Sequence, residues 1–365
     1  MNFFNTHISE KSIELVNGVL RSRFISAGKM ADMFEARLQE KAGLINPVTV
    51  NSGTSALALA LSVAGIKPGD EVILPAQTFI ATGLVVLMHH AKPVFADIQY
   101  NTGNIDPDSI RHKISEKTKA VIPVHWAGYP CDLGEINGIA EEYNLAVIED
   151  AAHAFGATYK GKPVGSISRF TAFSFQAIKH LTTGDGGALC CLNSEDLYHA
   201  SRRRWFDIDR ENAKLSVLGE REYDASHVGY KYHMNDVAAA IGLGNLEDMG
   251  ADIIRRREIA ALYRSGLTGI PGIQLLDYKN DRESANWIFP LLVEKRVDFI
   301  KKLGRNGIPA SVVHLRIDTN SVFGGANKDL LNQERFNNNQ VALPIHREIT
   351  DEQVGEIINC VRQGW

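Results

Sequence analysis

Lys179 stands in "FSFQAIKHLTTGDGG", a few residues beyond an apolar, alternating run and just before a glycine-rich turn. An amine placed there can attack a carbonyl, provided its pKa falls from the ordinary ~10.4. Partial burial near other positive groups has that effect. A loop lysine taken alone is as often merely solvated, so the rest of the chain decides. Asp150 ends the apolar run "AVIED", where a carboxylate is costly unless it meets a charged or hydrogen-bonding partner. His153 follows three residues on and reads equally well as a satisfied core histidine. The turn Asn51, Ser52, Gly53, Thr54, Ser55 opens a small-residue helix. Its glycine allows close backbone approach, and a helix N-terminus offers unpaired N–H groups to an anion. Phe79 and Ser174 follow two further apolar runs.

The elements that must position these groups alternate regularly. From about residue 46 to 192, short apolar runs ("PVTV", "EVILPA", "KPVFADI", "KAVIPVHWAG", "AVIEDAAHAFGA", "TAFSFQAIKH", "GALCCL") are separated by helical patterns, with Asp106 or Asp108 capping one of them. Near-continuous apolar strands alternating with helices predict a mostly parallel sheet covered on both faces. In such sheets ligands bind outside the carboxyl ends of the strands, where the polar residues above collect. Beyond residue 195 come a helix leading into the charged loop "RRRWFDIDRE" (Arg202–Glu211), then two long helices. A second α+β region follows from about 270. The division expected is residues 1–250, an N-terminal arm with a large α/β/α domain, and 251–365, a smaller C-terminal α+β domain.

An anion cradle, a carboxylate, a stackable aromatic and an amine together suit one kind of ligand: an aldehyde with a phosphate and a basic ring nitrogen, such as pyridoxal 5′-phosphate. The carboxylate would keep the ring nitrogen charged. Composition limits the alternatives. At 365 residues and net charge −4 there is no electrostatic footprint for nucleic acid. Four cysteines without C-x-x-C spacing point away from structural zinc and a disulfide framework, so no metal is expected. The first residues lack a signal-peptide pattern, and no stretch approaches the ~20 apolar residues of a membrane span. A cytoplasmic location is expected.

These blocks resemble the DegT/StrS family of nucleotide-sugar aminotransferases, of the fold-type I pyridoxal phosphate class. "VNSGTSALALAL", "VILPAQTFIAT", "VIEDAAHAFGA", "FSFQAIKHLTTGDGG", "VGYKYHMNDVAAAIGLGNLE" and "LPIHREITDEQV" carry the likeness in order along nearly the whole chain. The resemblance implies that Lys179 forms an imine with the cofactor and then moves a proton between cofactor and substrate. It implies that Asp150 pairs with the ring nitrogen, His153 bonds the ring hydroxyl and Phe79 stacks on the ring. Gly53, Thr54, Ser55 and Ser174 would hold the phosphate. In a few sugar dehydratases of the family a histidine replaces the lysine; here Lys179 is in register and His180 follows it. Many members place an asparagine from the partner subunit on the phosphate, and this chain has Lys231 there, with His233 at a nearby arginine position. The implied assembly is a homodimer with shared sites.

The implied reaction moves an amino group from L-glutamate, released as 2-oxoglutarate, to a nucleotide-diphosphate-linked ketosugar. Family members with a similar lysine block often form a 4-amino sugar, so the resemblance implies a 4-keto-6-deoxyhexose, as in perosamine-type synthesis, for surface polysaccharide or natural-product glycans. His180, Arg204 and His314 are candidate sugar contacts. A C3-ketosugar or cyclitol aminotransferase and a sugar dehydratase are the alternatives. A non-enzymatic regulator is a remote one, since it should have lost Lys179 or Asp150.

Overall fold

A computed structural model describes residues 1–210 and 212–365; Glu211, the last residue of the charged loop, lies outside the described residues. In chain order the helices are α1 (Glu10–Ser22), α2 (Lys29–Ala42), α3 (Gly53–Val63), α4 (Ile80–Met88), α5 (Pro107–Lys113), α6 (Leu133–Tyr143), α7 (Ser194–Arg203), α8 (Asp236–Leu246), α9 (Met249–Leu267), α10 (Arg296–Arg305), α11 (Leu331–Asn339) and α12 (Asp351–Arg362). The strands of the large sheet are β1 (Pro47–Val50), β2 (Glu71–Pro75), β3 (Lys92–Ala96), β4 (Thr118–Val121), β5 (Ala146–Asp150), β6 (Phe170–Ser174) and β7 (Gly187–Cys191). They lie side by side in the order β1-β7-β6-β5-β4-β2-β3.

The pairs β2/β3, β2/β4, β4/β5 and β5/β6 are parallel, as the alternation of strands and helices predicts. Only β7 runs against its neighbours β6 and β1. The reason is local: a loop without a crossover helix joins β6 to β7, so the chain returns beside the strand it has just left. Phe175 N–H donates to Gly186 carbonyl at 2.8 Å and Thr183 N–H to Phe175 carbonyl at 2.9 Å, which closes the base of that loop. Lys179 sits within it.

Alternation along the strands feeds two apolar layers. Val72, Leu74, Ile148 and Ala172 pack with Ala56, Leu59, Val85 and Ala200 of α3, α4 and α7. On the other face Phe173 and Ala188 meet Phe34, Leu38 and Ala239 of α2 and α8, while Ile73, Val121 and Val147 meet Ile110, Ile136 and Ile139 of α5 and α6. The predicted cap is present: Asp106 accepts the Asp108 N–H at 3.2 Å at the start of α5. Among the described residues, no helix is long and apolar enough to cross a membrane.

The C-terminal region builds a second sheet from β8 (Ile273–Leu275), β9 (Phe289–Val293) and β10 (Gln340–Leu343), in the order β8-β9-β10 and antiparallel throughout. Ile259, Tyr263 and Leu267 of α9 pack on it with Phe299, Leu303, Ile357 and Val361 of α10 and α12. The first turns of α9 contribute Met249 and Ile253 to the core of the large sheet instead, so one helix spans both cores.

Candidate active site

A cavity of ≈ 330 Å³ opens at the carboxyl ends of β5 and β6, lined by residues that include Gly53, Thr54, Phe79, Asp150, His153, Ser174 and Lys179. Every group predicted to touch the cofactor from its own chain, except Ser55, therefore reaches one space. At its floor Asp150 is only 6% exposed. Its Oδ2 accepts the Thr82 hydroxyl at 2.7 Å and its Oδ1 the Ala152 N–H at 3.2 Å. A carboxylate can only accept, so Thr82 is the donor, and the Thr78 hydroxyl 2.7 Å behind it must then donate to Thr82. Burial raises the Asp150 pKa above the carboxylate norm, and the bonds from Thr82 and Ala152 and the Lys179 charge oppose that rise. A cation placed beside Asp150 would complete what those donors begin.

Lys179 is half-buried in the cavity wall, and desolvation lowers its amine from 10.5 to about 7, with Asp150 acting in the opposite sense. An amine at that value is substantially neutral, hence nucleophilic, near physiological pH. Its Nζ lies 3.9 Å from the centroid of the Trp287 ring. His153 stacks on the same indole, centroids 3.8 Å apart at 11°, and burial beside Lys179 keeps it neutral, well below the usual imidazole value. Its Nδ1 is buried without a partner, an unmet polar atom beside the cavity.

At the other end, Ser52 caps α3 by accepting the Ser55 N–H at 3.0 Å. The first turn of that helix directs N–H groups at the cavity mouth. A Cβ built on Gly53 would lie 2.8 Å from Ser174 Cβ and 3.2 Å from its Cα, so only glycine fits. Cradle, carboxylate, unpaired imidazole nitrogen and neutralised amine fit a phosphorylated pyridine aldehyde. Phe79 lies at the rim, 53% exposed, its ring 5.2 Å from that of His314.

His314 also lines the cavity. Val313 before it has φ 59, a left-handed value rarely adopted by a β-branched residue. Gln340 and Gln77 hold the His314 carbonyl with amide donors at 2.9 and 3.3 Å.

Four sequence candidates fall elsewhere. Ser55 is turned inward, its hydroxyl donating to Asn51 Oδ1 at 2.6 Å, because the helix cap claims it first. His180 is buried with Nε2 bonded to the Ala285 carbonyl at 2.9 Å, outside the cavity lining. Arg204 forms an ion pair with Glu35 and donates to the Thr49 carbonyl at 3.0 Å. It lines a separate cleft of ≈ 600 Å³ with Arg202 and Arg210. Lys231 is exposed, bridged by backbone to Trp205, and does not line the cavity of its own chain. Sequence reasoning missed Thr82 and Trp287. Thr82 stood in the "VILPAQTFIAT" block, one helical turn past Phe79, and that position was its only signal. Trp287 is brought in by the second sheet, and nothing local announces it.

Residues 6–362 match the model of the DegT/DnrJ/EryC1/StrS aminotransferase family. The chain belongs to that family. It is 32% identical to GDP-perosamine synthase of Escherichia coli O157:H7, over 99% of this chain and 97% of that one. Among solved structures, sugar aminotransferase CalS13 of Micromonospora echinospora superposes with a TM-score of 0.95 at 33% identity, covering 100% of both chains. The PLP form of the Streptococcus pneumoniae protein Spr1654 superposes at 0.91 with 31% identity, covering 100% of this chain and 98% of that one. The motif resemblance, the mostly parallel α/β class and the assignment as an aminotransferase all hold.

Proposed function

We propose that this chain is a pyridoxal phosphate-dependent aminotransferase that passes an amino group from L-glutamate to a nucleotide-diphosphate-linked ketosugar, a 4-keto-6-deoxyhexose. The observation that carries the reading is the convergence of Lys179, at a pKa of about 7, and the half-satisfied Asp150 carboxylate in one cavity. The name of the E. coli relative, GDP-perosamine synthase, supports the sugar class.

When bound, the cofactor supplies an electron sink for the pair left on carbon as a proton departs. The protein's own residues do the rest. Asp150, whose charged form accepts hydrogen bonds from Thr82 and Ala152, would hold the ring nitrogen in its charged form. His153 has Nδ1 free for the ring oxygen. Phe79 would cover one ring face, and Thr54, Ser174 and the backbone at Gly53 would bind the phosphate. Lys179 Nζ, about half neutral near pH 7, would take the proton from the glutamate α-carbon in the first half-reaction and protonate the amine-bearing sugar carbon in the second. His314, on its strained turn at the same cavity, would contact the sugar.

Lys231 and Arg204 face away from this cavity, so any part they play is across a homodimer. We also propose that residues 1–250 and 251–365 form two domains, joined within α9. The test is incubation of purified protein with pyridoxal phosphate, L-glutamate and a GDP-linked 4-keto-6-deoxyhexose. The expected result is 2-oxoglutarate and an amino sugar of matching mass in equal amounts. Loss of water without 2-oxoglutarate would make the protein a dehydratase instead.

A further inference from the structure

Trp287 enters the cavity from the second sheet, at the start of the segment that becomes β9, and it contacts the candidate amine once and the backbone just before it once. Lys179 Nζ lies 3.9 Å from the ring centroid, close enough for a cation–π contact. The indole Nε1–H donates at 2.9 Å to the carbonyl of Ile178, the residue immediately before the lysine. The indole is itself fixed. It is fully buried, His153 stacks on it at 3.8 Å, and Phe4 of the N-terminal arm stacks on it at 5.2 Å and 25°. The arm is also tied to the same loop, since the Thr6 hydroxyl donates to the Ala177 carbonyl at 2.9 Å. Backbone geometry alone does not require this. The loop is already closed at its base by Phe175, Thr183 and Gly186.

We propose that Trp287 is a positioning residue: its ring face holds the Lys179 ammonium and its N–H fixes the peptide before it, so the amine is parked in one place whenever it is free. This rests on the reading of Lys179 as the reactive amine. The arrangement makes a contribution from the C-terminal region necessary to the chemistry of a loop on the large sheet, and it gives the N-terminal arm a function as the backing of the indole.

The experiment is competitive acetylation of Lys179 in the full cofactor-free chain as a function of pH, read by peptide mass spectrometry. The titratable groups around the amine are Asp150 on β5, His153 beyond it, His314 on its turn, Asp185 on the cavity lining and, turned away from the cavity, His180; none is substituted in the variants. In the wild-type chain half-reaction is expected at about 7. Trp287→Leu removes the ring face, which favours the ammonium, so the half-reaction pH is expected to drop by about one unit. Trp287→Phe keeps a ring and restores most of that drop. An unchanged or raised midpoint in Trp287→Leu overturns the proposal. Should that variant not fold, Phe4→Ala loosens the indole without entering the cavity and is expected to shift the midpoint in the same direction; no shift there overturns it equally. A wild-type chain that acetylates as described yet takes up no pyridoxal phosphate sinks the cofactor reading and leaves the tryptophan contact standing.

Discussion

Replacing Thr82 by Val swaps a hydroxyl for a methyl at nearly constant volume, 2.7 Å from Asp150 Oδ2. It removes one of two protein donors to a buried carboxylate, and it leaves the Thr78 hydroxyl without its acceptor. A hydrogen bond to a charged group is worth about 1.5–3 kcal/mol. If ionised Asp150 holds the cofactor ring, that loss lowers affinity for pyridoxal phosphate by about 10- to 100-fold near neutral pH. The cofactor-free protein gives an independent readout. Burial keeps the folded Asp150 pKa raised, so the folded chain binds this proton more tightly than the unfolded chain. That stabilisation is complete below the unfolded value and is lost as pH rises through the folded one. Thr82→Val moves the folded value further up, so its deficit in unfolding free energy should grow as pH rises above the unfolded value of about 4. Absorbance titration gives the affinity, and urea unfolding across pH gives the stability. Wild-type affinity in the variant, with a deficit independent of pH, would refute the assigned role of Asp150.

Three further outcomes are expected. Gly53→Ala places a Cβ 2.8 Å from Ser174 Cβ, about 1 Å inside normal contact, so it should cost about 1–3 kcal/mol of stability and weaken binding of the cofactor and of inorganic phosphate alike, measured by calorimetry. Asp150→Ala should keep part of the cofactor affinity through the phosphate cradle while turnover falls by about 10²-fold or more, read by steady-state assay. Because Lys179 sits near 7 in the folded chain and 10.5 outside it, the unfolded state binds more protons in that window. Stability should therefore rise with pH from about 7 to 10.5, and Lys179→Met should flatten the rise, measured by urea unfolding.

Much of this site was legible because fold and chemistry share a local signal. A strand that ends in Asp150 must deliver it to the carboxyl edge of a parallel sheet, and the same holds for Gly53 after β1 and Ser174 at the end of β6. Lys179 was legible from its motif, though the pattern alone did not reveal that its loop turns β7 antiparallel. For residues whose role depends on competition, the partner that captures the side chain was not legible. Ser55 has the right type and position to bind phosphate, but its hydroxyl meets Asn51 first. His180 is adjacent to the amine in sequence, yet consecutive loop residues point apart, and the Ala285 carbonyl captures it. Trp287 and the glutamine clamp on His314 arise from contacts between distant segments, which no periodicity encodes. Lys231 is exposed, and Arg204 is held in an ion pair with Glu35 beside a separate cleft.

The central claim is that one lysine among those in the chain is the covalent partner of the cofactor. Reduction of the protein with borohydride in the presence of pyridoxal phosphate, followed by proteolysis and mass spectrometry, tests it directly. The account predicts a pyridoxyl adduct on the peptide containing Lys179 at one per chain, and none in Lys179→Met. An adduct centred on another lysine, or no uptake by the folded wild-type protein, would contradict it.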